Sequence, residues 1–196
     1  PMQQARFQAE DAAVRIAAFS DADLPNRTKM LAELKAYAGY AYVLLGEGMC
    51  TMTVDNGPLI TRDSTYKAAV GRFTEAIALA TTANYAEIKN MALVGRARAE
   101  LDLGDLQAAM VDAQAVPAGF VRVAEYSEVT VARENRMYNL TIRNDFLSVA
   151  PDYRNLTVGG VADPRVPVLN TGRQGNDAVT DQWQQRKYIG SGAATI

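Results

Sequence analysis

The stretch Met91–Pro117, MALVGRARAELDLGDLQAAMVDAQAVP, constrains the fold of this chain more than any other. Its apolar residues recur at helical spacing on both sides of a Leu-Gly-Asp hinge. Val94, Ala97 and Leu101 form one stripe; Leu106, Ala109, Met110, Ala113 and Val116 form the other. Gly104 suits the left-handed backbone that ends a helix, and Asp105 suits the cap of the next one. Helices over Tyr85–Leu103 and Asp105–Val116 are therefore expected, folded back on each other with Ala97 and Ala109 at the crossing. The segment carries no residue type suited to chemistry, so it reads as scaffold.

Other helices precede it. Gln4–Phe19 places Phe7, Val14 and Ala18 near one face, and Pro25 marks a turn. From Thr28, residues Leu31, Leu34, Ala38, Ala41, Tyr42 and Leu45 give a broad apolar face that ends at Gly46. A loop of about fifteen residues follows, with Asn56-Gly57-Pro58 as its turn; ordered loops of that length are often functional. Asp63 or Ser64 then caps a helix whose inward residues are Ala69, Phe73, Ala76, Ile77 and Ala80. Ile77 and Ala113 fall at equivalent points of two helices 36 residues apart, near the ~34-residue tetratricopeptide period. The expected fold is mainly α: TPR-like antiparallel helix hairpins over residues 1–117. An irregular lobe with a few short strands, residues 118–196, is expected to pack on that frame as one structural unit.

Composition narrows function. The 196 residues carry a net charge of −2 and are 48% hydrophobic, so nothing favours nucleic acid or an anionic membrane surface. Histidine is absent, which removes the commonest general base and transition-metal ligand. The single cysteine, Cys50, can form neither an intrachain disulfide nor a zinc site, and is expected to be a small buried hydrophobe. No apolar run reaches the ~20 residues that span a bilayer. No cofactor, metal or catalytic motif is expected. A carboxylate-only hydrolase would need two acids about 5–10 Å apart in a cleft. Pro1 and the small residues of 191–196 suggest a segment of something longer.

The lobe holds the best binding chemistry. Sugar rings are held by flat aromatic faces together with planar polar groups that fix their hydroxyls. Trp183 with Gln182, Gln184, Arg186 and Tyr188 offers that combination, with Tyr138 and Tyr153 in the same region. A tryptophan plugging the lobe is the alternative reading of Trp183. Asp55 and Asn56 in the long loop are further candidates, although Asp-Asn-Gly-Pro is turn chemistry first. Tyr37, Tyr40 and Tyr42 read as packing residues with wet hydroxyls, Arg133–Arg136 as a solvated charge run, and Gly159-Gly160 as no phosphate loop.

In order, LKAYAGYAYVLLGEG, YKAAVGRFTEAIALA, MALVGRARAELDLGDLQAAMVDAQAV, DYRNLTVGGVADPRVPV and WQQRKYIGSG resemble the SusD/RagB family of bacterial outer-membrane nutrient-binding lipoproteins. The resemblance covers roughly residues 28–192. It implies a non-catalytic cell-surface protein whose helical frame carries an irregular, ligand-binding lobe. It also implies an oligosaccharide or similar nutrient as ligand, no cofactor, and a TonB-dependent, SusC-like outer-membrane barrel as partner. The family's lipid anchor, and its helices beyond Lys187-Tyr188, have no counterpart in these residues. The competing expectation is a protein-interaction or structural scaffold subunit of another membrane-associated extracytoplasmic complex. Exposed aromatics in the lobe would favour sugar; a large apolar patch along the helices would favour a protein partner.

Overall fold

A computed structural model describes residues 2–192; Pro1 and residues 193–196 lie outside the described residues. The chain is mainly α-helical with short antiparallel strand pairs, and divides into two compact units, Pro1–Phe120 and Val121–Ile196.

The first unit runs α1 (Met2–Ala17), α2 (Arg27–Gly48), strands β1 (Thr51–Thr53) and β2 (Leu59–Thr61), α3 (Arg62–Thr82), α4 (Ala86–Asp102) and α5 (Leu106–Ala115). The turns behave largely as their residues dictate. Gly104 is left-handed (φ 80°), and the Asp105 side chain accepts the Ala108 N–H at the start of α5. Between α3 and α4 the left-handed residue is Asn84 (φ 50°), a side chain that tolerates that conformation.

The expected long loop is mostly ordered secondary structure. Helix α2 continues through Gly46, because that glycine is a contact point: a Cβ there would sit 2.5 Å from the Tyr66 ring. After it, β1 and β2 pair in the register Thr51↔Thr61, Met52↔Ile60, Thr53↔Leu59. Asp55 and Asn56 both take positive φ (50° and 59°), and the Gly57 N–H donates to the Val54 carbonyl at 2.8 Å. The cap of α3 is Thr61, whose hydroxyl accepts the Ser64 N–H, in place of Asp63 or Ser64.

Helices α2, α3 and α4 pack around Phe73 on α3. Its ring lies so close to Gly39 of α2 and Gly95 of α4 that a Cβ would approach to 2.7 Å and 2.4 Å respectively. Tyr40 meets it edge-on, with centroids 5.1 Å apart, and donates its hydroxyl to the Met91 carbonyl. Around this point the buried side chains are mostly alanine: Ala32, Ala36, Ala69, Ala76, Ala92 and Ala99. Helices lined by such small residues approach closely, with Val43, Ile88 and Met91 completing the buried cluster.

That packing corrects several expected faces. On α1 the buried residues are Arg6, Ala9 and Ala13, whereas Phe7 and Val14 are exposed. On α4 the buried line is Ile88, Met91, Ala92, Gly95 and Ala99, while Val94 and Leu101 face outward. On α5 Ala109 is buried as expected, but Leu106 and Met110 are exposed and Asp112 is buried. The α4–α5 hairpin is joined instead by a two-pronged ion pair, Arg96 to Asp112, at 2.6 and 2.8 Å. The inward set on α3 stands, with Ile77 partly buried. Cys50 is exposed, because the bend between α2 and β1 leaves it outside the helix faces.

The second unit is organised differently. One turn of helix, α6 (Arg136–Tyr138), leads into a π-helical turn, Asn139–Arg143. Two hairpins follow: β3 (Thr157–Val158) with β4 (Val161–Ala162), then β5 (Val168–Gln174) with β6 (Asp181–Gln185). Gly159-Gly160 is the tight β3–β4 turn, both residues at positive φ (58° and 81°), which is the geometry a two-residue hairpin needs. Among the described residues of this unit the buried side chains are Asn135, Asn139, Thr141, Gln182, Gln184 and Ser191, all polar. The charge run Arg133–Arg136 is therefore only partly solvated, since Asn135 caps α6 from the interior.

Three outcomes are expected. Gly71 on α3 has open space where a Cβ would go, so Gly71→Ala should stabilise by about 0.5–1 kcal/mol through helix propensity alone. Gly95→Ala carries the same propensity gain but strikes the Phe73 ring, and should cost a net ~2 kcal/mol in denaturant melts. The sole tryptophan, Trp183, lies in the second unit and most of the helix in the first. A unit lacking buried apolar side chains is weakly held, so the tryptophan-fluorescence transition should precede the far-UV circular dichroism transition. Coincident curves would contradict that.

Candidate ligand-binding site

A concavity of about 610 Å3 opens between the first turns of α1 and the β1–β2 hairpin. Its lining includes Gln3, Gln4, Phe7, Met49, Asp55 and Asn56. The Phe7 ring, on the solvent face of α1, is half exposed at 52%.

Ion pairing fixes the walls. Arg6 is 2% exposed, yet its guanidinium reaches Glu10 at 2.5 Å and grips both carboxylate oxygens of Asp55. Its Nε also donates to Gln3 Oε1 at 3.2 Å, and Gln3 Nε2 donates to the Thr53 carbonyl at 2.9 Å. The helix thereby clamps the hairpin at its turn and along its first strand. Glu10 accepts from Arg72 of α3 at 2.8 Å; Arg72 binds Glu75 at 2.9 Å, and Lys35 of α2 reaches Glu75 at 2.5 Å. Charges of alternating sign thus run from the hairpin turn through α1 and α3 to α2. Burial alone would lower the pKa of Arg6, but its hydrogen bonds to Asp55 and Glu10 outweigh this and raise it. Tyr42 donates its hydroxyl to Glu10, and burial first, then the Glu10 charge, raises its pKa. Burial pushes the Tyr40 phenol to about 12. The hydroxyls of Tyr40 and Tyr42 are therefore bonded inside the protein rather than wet.

Asp55 and Asn56 thus border a concavity, as candidate ligand residues should, but the Asp55 carboxylate is committed to Arg6. Asn56, Gln4 and Phe7 are the side chains of this wall that combine amide and aromatic surface. Phe7 could have been found from its helix: it sits one residue beyond the buried Arg6, off the Arg6–Ala9–Ala13 face on which the helix packs.

The lobe candidates are split by the alternation of a β-strand. On β6, Gln182 and Gln184 point inward and are buried; Trp183 between them is only partly buried. Gln184 donates to Asp145 at 3.0 Å. The Arg154 guanidinium lies 5.1 Å from the Trp183 ring centroid and donates to the Val149 carbonyl, so part of the indole is already covered. Tyr153, next to Arg154, is 58% exposed at the end of a 3-10 turn. Arg186 is exposed, with its N–H on the Pro167 carbonyl. The Tyr188 ring carries the Lys187 ammonium at 5.7 Å, and Tyr138 closes α6 partly buried. Trp183 and Arg154 form an aromatic-cationic pair; Gln184 belongs to the interior. Arg154 was missed because a lone arginine in a loop gives no local pattern. In the Asp-Pro-Arg stretch, Arg165 grips Asp163 and holds its carboxyl at about 2.

No protein-family model matches the chain, and neither a curated protein nor a solved structure does.

Arg6→Ala should cost about 3 kcal/mol, toward the low end for removing one member of a buried ion pair, since Glu10 keeps Arg72. Asp55→Ala leaves the buried Arg6 guanidinium its Glu10 partner but puts alanine at a positive φ, so it should cost less, about 1–2 kcal/mol. Chemical denaturation of the two variants checks that order; equal losses would mean that the Arg6–Asp55 pair is all that Arg6 contributes.

Proposed function

We propose that this protein is a non-catalytic nutrient-binding protein of SusD/RagB type, capturing oligosaccharide at the bacterial outer membrane beside a TonB-dependent barrel. The observation that carries the proposal is the concavity beside Phe7: an exposed ring flanked by the amides of Gln4 and Asn56 on walls held by the Arg6 clamp. A pyranose presents C–H faces that stack on such a ring and hydroxyls that amides both donate to and accept from. The order of sequence motifs adds the family and its surface location. The exposed Tyr153 ring offers a second place for a sugar ring.

A second reading is favoured by the outward line of Val94 and Leu101 on α4 and Leu106 and Met110 on α5, all 44% exposed or more. Such a face suits a protein partner, as in a scaffold subunit of a larger extracytoplasmic assembly.

The test is a glycan array probed with the whole chain, with hits quantified by calorimetry. Phe7→Ala should weaken binding at least tenfold while leaving the helical circular dichroism intact. A silent array would overturn the sugar reading. If, in addition, Leu106→Glu released a protein retained by the wild type from gently solubilised membranes, the scaffold reading would replace it.

A further inference from the structure

We propose that a small pocket in the second unit, beside the β5–β6 hairpin, binds a primary ammonium group. The proposal stands independently of the glycan reading. The pocket has a volume of about 100 Å3, and its lining includes Asp145, Phe146, Ser148, Asn176, Asp177 and Gln182.

Gln182 shows what is missing there. It is 1% exposed, and its Nε2 donates to two carbonyls, Thr141 at 2.9 Å and Leu147 at 3.1 Å. Those bonds fix which end of the amide is oxygen, and Oε1 is left buried with no hydrogen-bond partner. An orphaned buried acceptor costs about 1–3 kcal/mol, so a donor arriving at that atom recovers free energy.

The surroundings specify the kind of donor. A Cβ on Gly175 would lie 3.1 Å from Gln182 Oε1, 3.2 Å from the Asp145 carbonyl and 3.6 Å from the Thr180 carbonyl. Three oxygens therefore converge on the bare face of one glycine; the Asp145 and Thr180 carbonyls each already accept one backbone N–H, from Asn176 and Gly175, and keep a second lone pair. Two carboxylates also border the space. Asp177 is bonded to neutral donors only in the contacts described: the Thr180 hydroxyl at 2.5 Å and the N–H groups of Val179 and Thr180. The Thr180 hydroxyl, followed by those N–H groups, lowers its pKa, so it is charged at neutral pH. Asp145 accepts from Gln184 at 3.0 Å, and its cation is the largely exposed Arg173 at 3.3 Å. The lining is thus rich in acceptors and carries excess negative charge. The Phe146 ring, 57% exposed, supplies an aromatic edge. A neutral hydroxyl would answer the orphaned oxygen but not the charge. A hard metal ion takes six to eight oxygen ligands, commonly with several carboxylates; here one of the two carboxylates, Asp145, is already paired with Arg173. An ammonium has three donors, one positive charge and an affinity for aromatic faces.

The test compares ethanolamine with ethylene glycol, which replaces the ammonium by a hydroxyl, and with calcium chloride. Binding is read by calorimetry on the whole chain, and its place by the shift of the Gln182 side-chain amide in NMR spectra. Ethanolamine should bind at least tenfold more tightly than ethylene glycol and shift the Gln182 amide. Asp177→Asn should weaken it at least tenfold. Gly175→Ala, which keeps every polar group and occupies the approach to Oε1, should do the same. Because Gln182 also ties together its neighbourhood, these two variants are preferred to its own replacement. Failure of ethanolamine to bind, equal binding of the diol, displacement by calcium, or an unaffected Gly175→Ala would each overturn the proposal.

Discussion

The ring of Phe73 wedged between two glycines is the constraint on which the helical unit depends. Gly39 and Gly95 belong to α2 and α4, which flank α3, and each permits an approach that any side chain would block. Around that contact the buried face is mostly alanine, with Tyr42, Val43, Ile88 and Met91 filling the remaining space. Much of the long aliphatic and aromatic surface of α1, α4 and α5 is turned outward.

Where alanine lines the core, charge completes the joints. The ion chain from Asp55 through Arg6, Glu10, Arg72 and Glu75 to Lys35 crosses the hairpin, α1, α3 and α2. Arg96 and Asp112 do the same between α4 and α5. Buried ion pairs add little net stability over well-packed apolar groups but are costly to half-remove, so they specify a mutual placement more than they strengthen it. Here they place the hairpin against α1 and so define the candidate sugar-binding concavity.

The second unit replaces apolar burial with amide chemistry. Asn135, Gln182 and Gln184 tie loops and strand together through their side chains. Polar interiors of this kind are directional, and any atom left over is conspicuous; the Gln182 oxygen is such an atom. The ammonium pocket and the weak cohesion of this unit therefore have a common origin.

Much of the helical order was legible in the sequence. Periodicity gave the main helices, and Gly104, Asp105 and Pro117 marked turns, because backbone conformation and capping are local matters. The faces were less legible: reading bulky residues as inward fails when the core is built from glycine and alanine, as it does for Val94 and Leu101. Mid-helix Gly39 and Gly95 were the available signal, since a glycine inside a helix is tolerated mainly where something must come close. Asp55 and Trp183 were visible as residues but not as partners, because Arg6 and Arg154 reach them from elsewhere in the chain. Sequence alone determined helix, turn and the lack of histidine chemistry. Tertiary structure decided which faces were covered, which carboxylates were already bound and which buried oxygens, Gln182 Oε1 among them, were left without a donor, since these depend on contacts between residues distant in the chain.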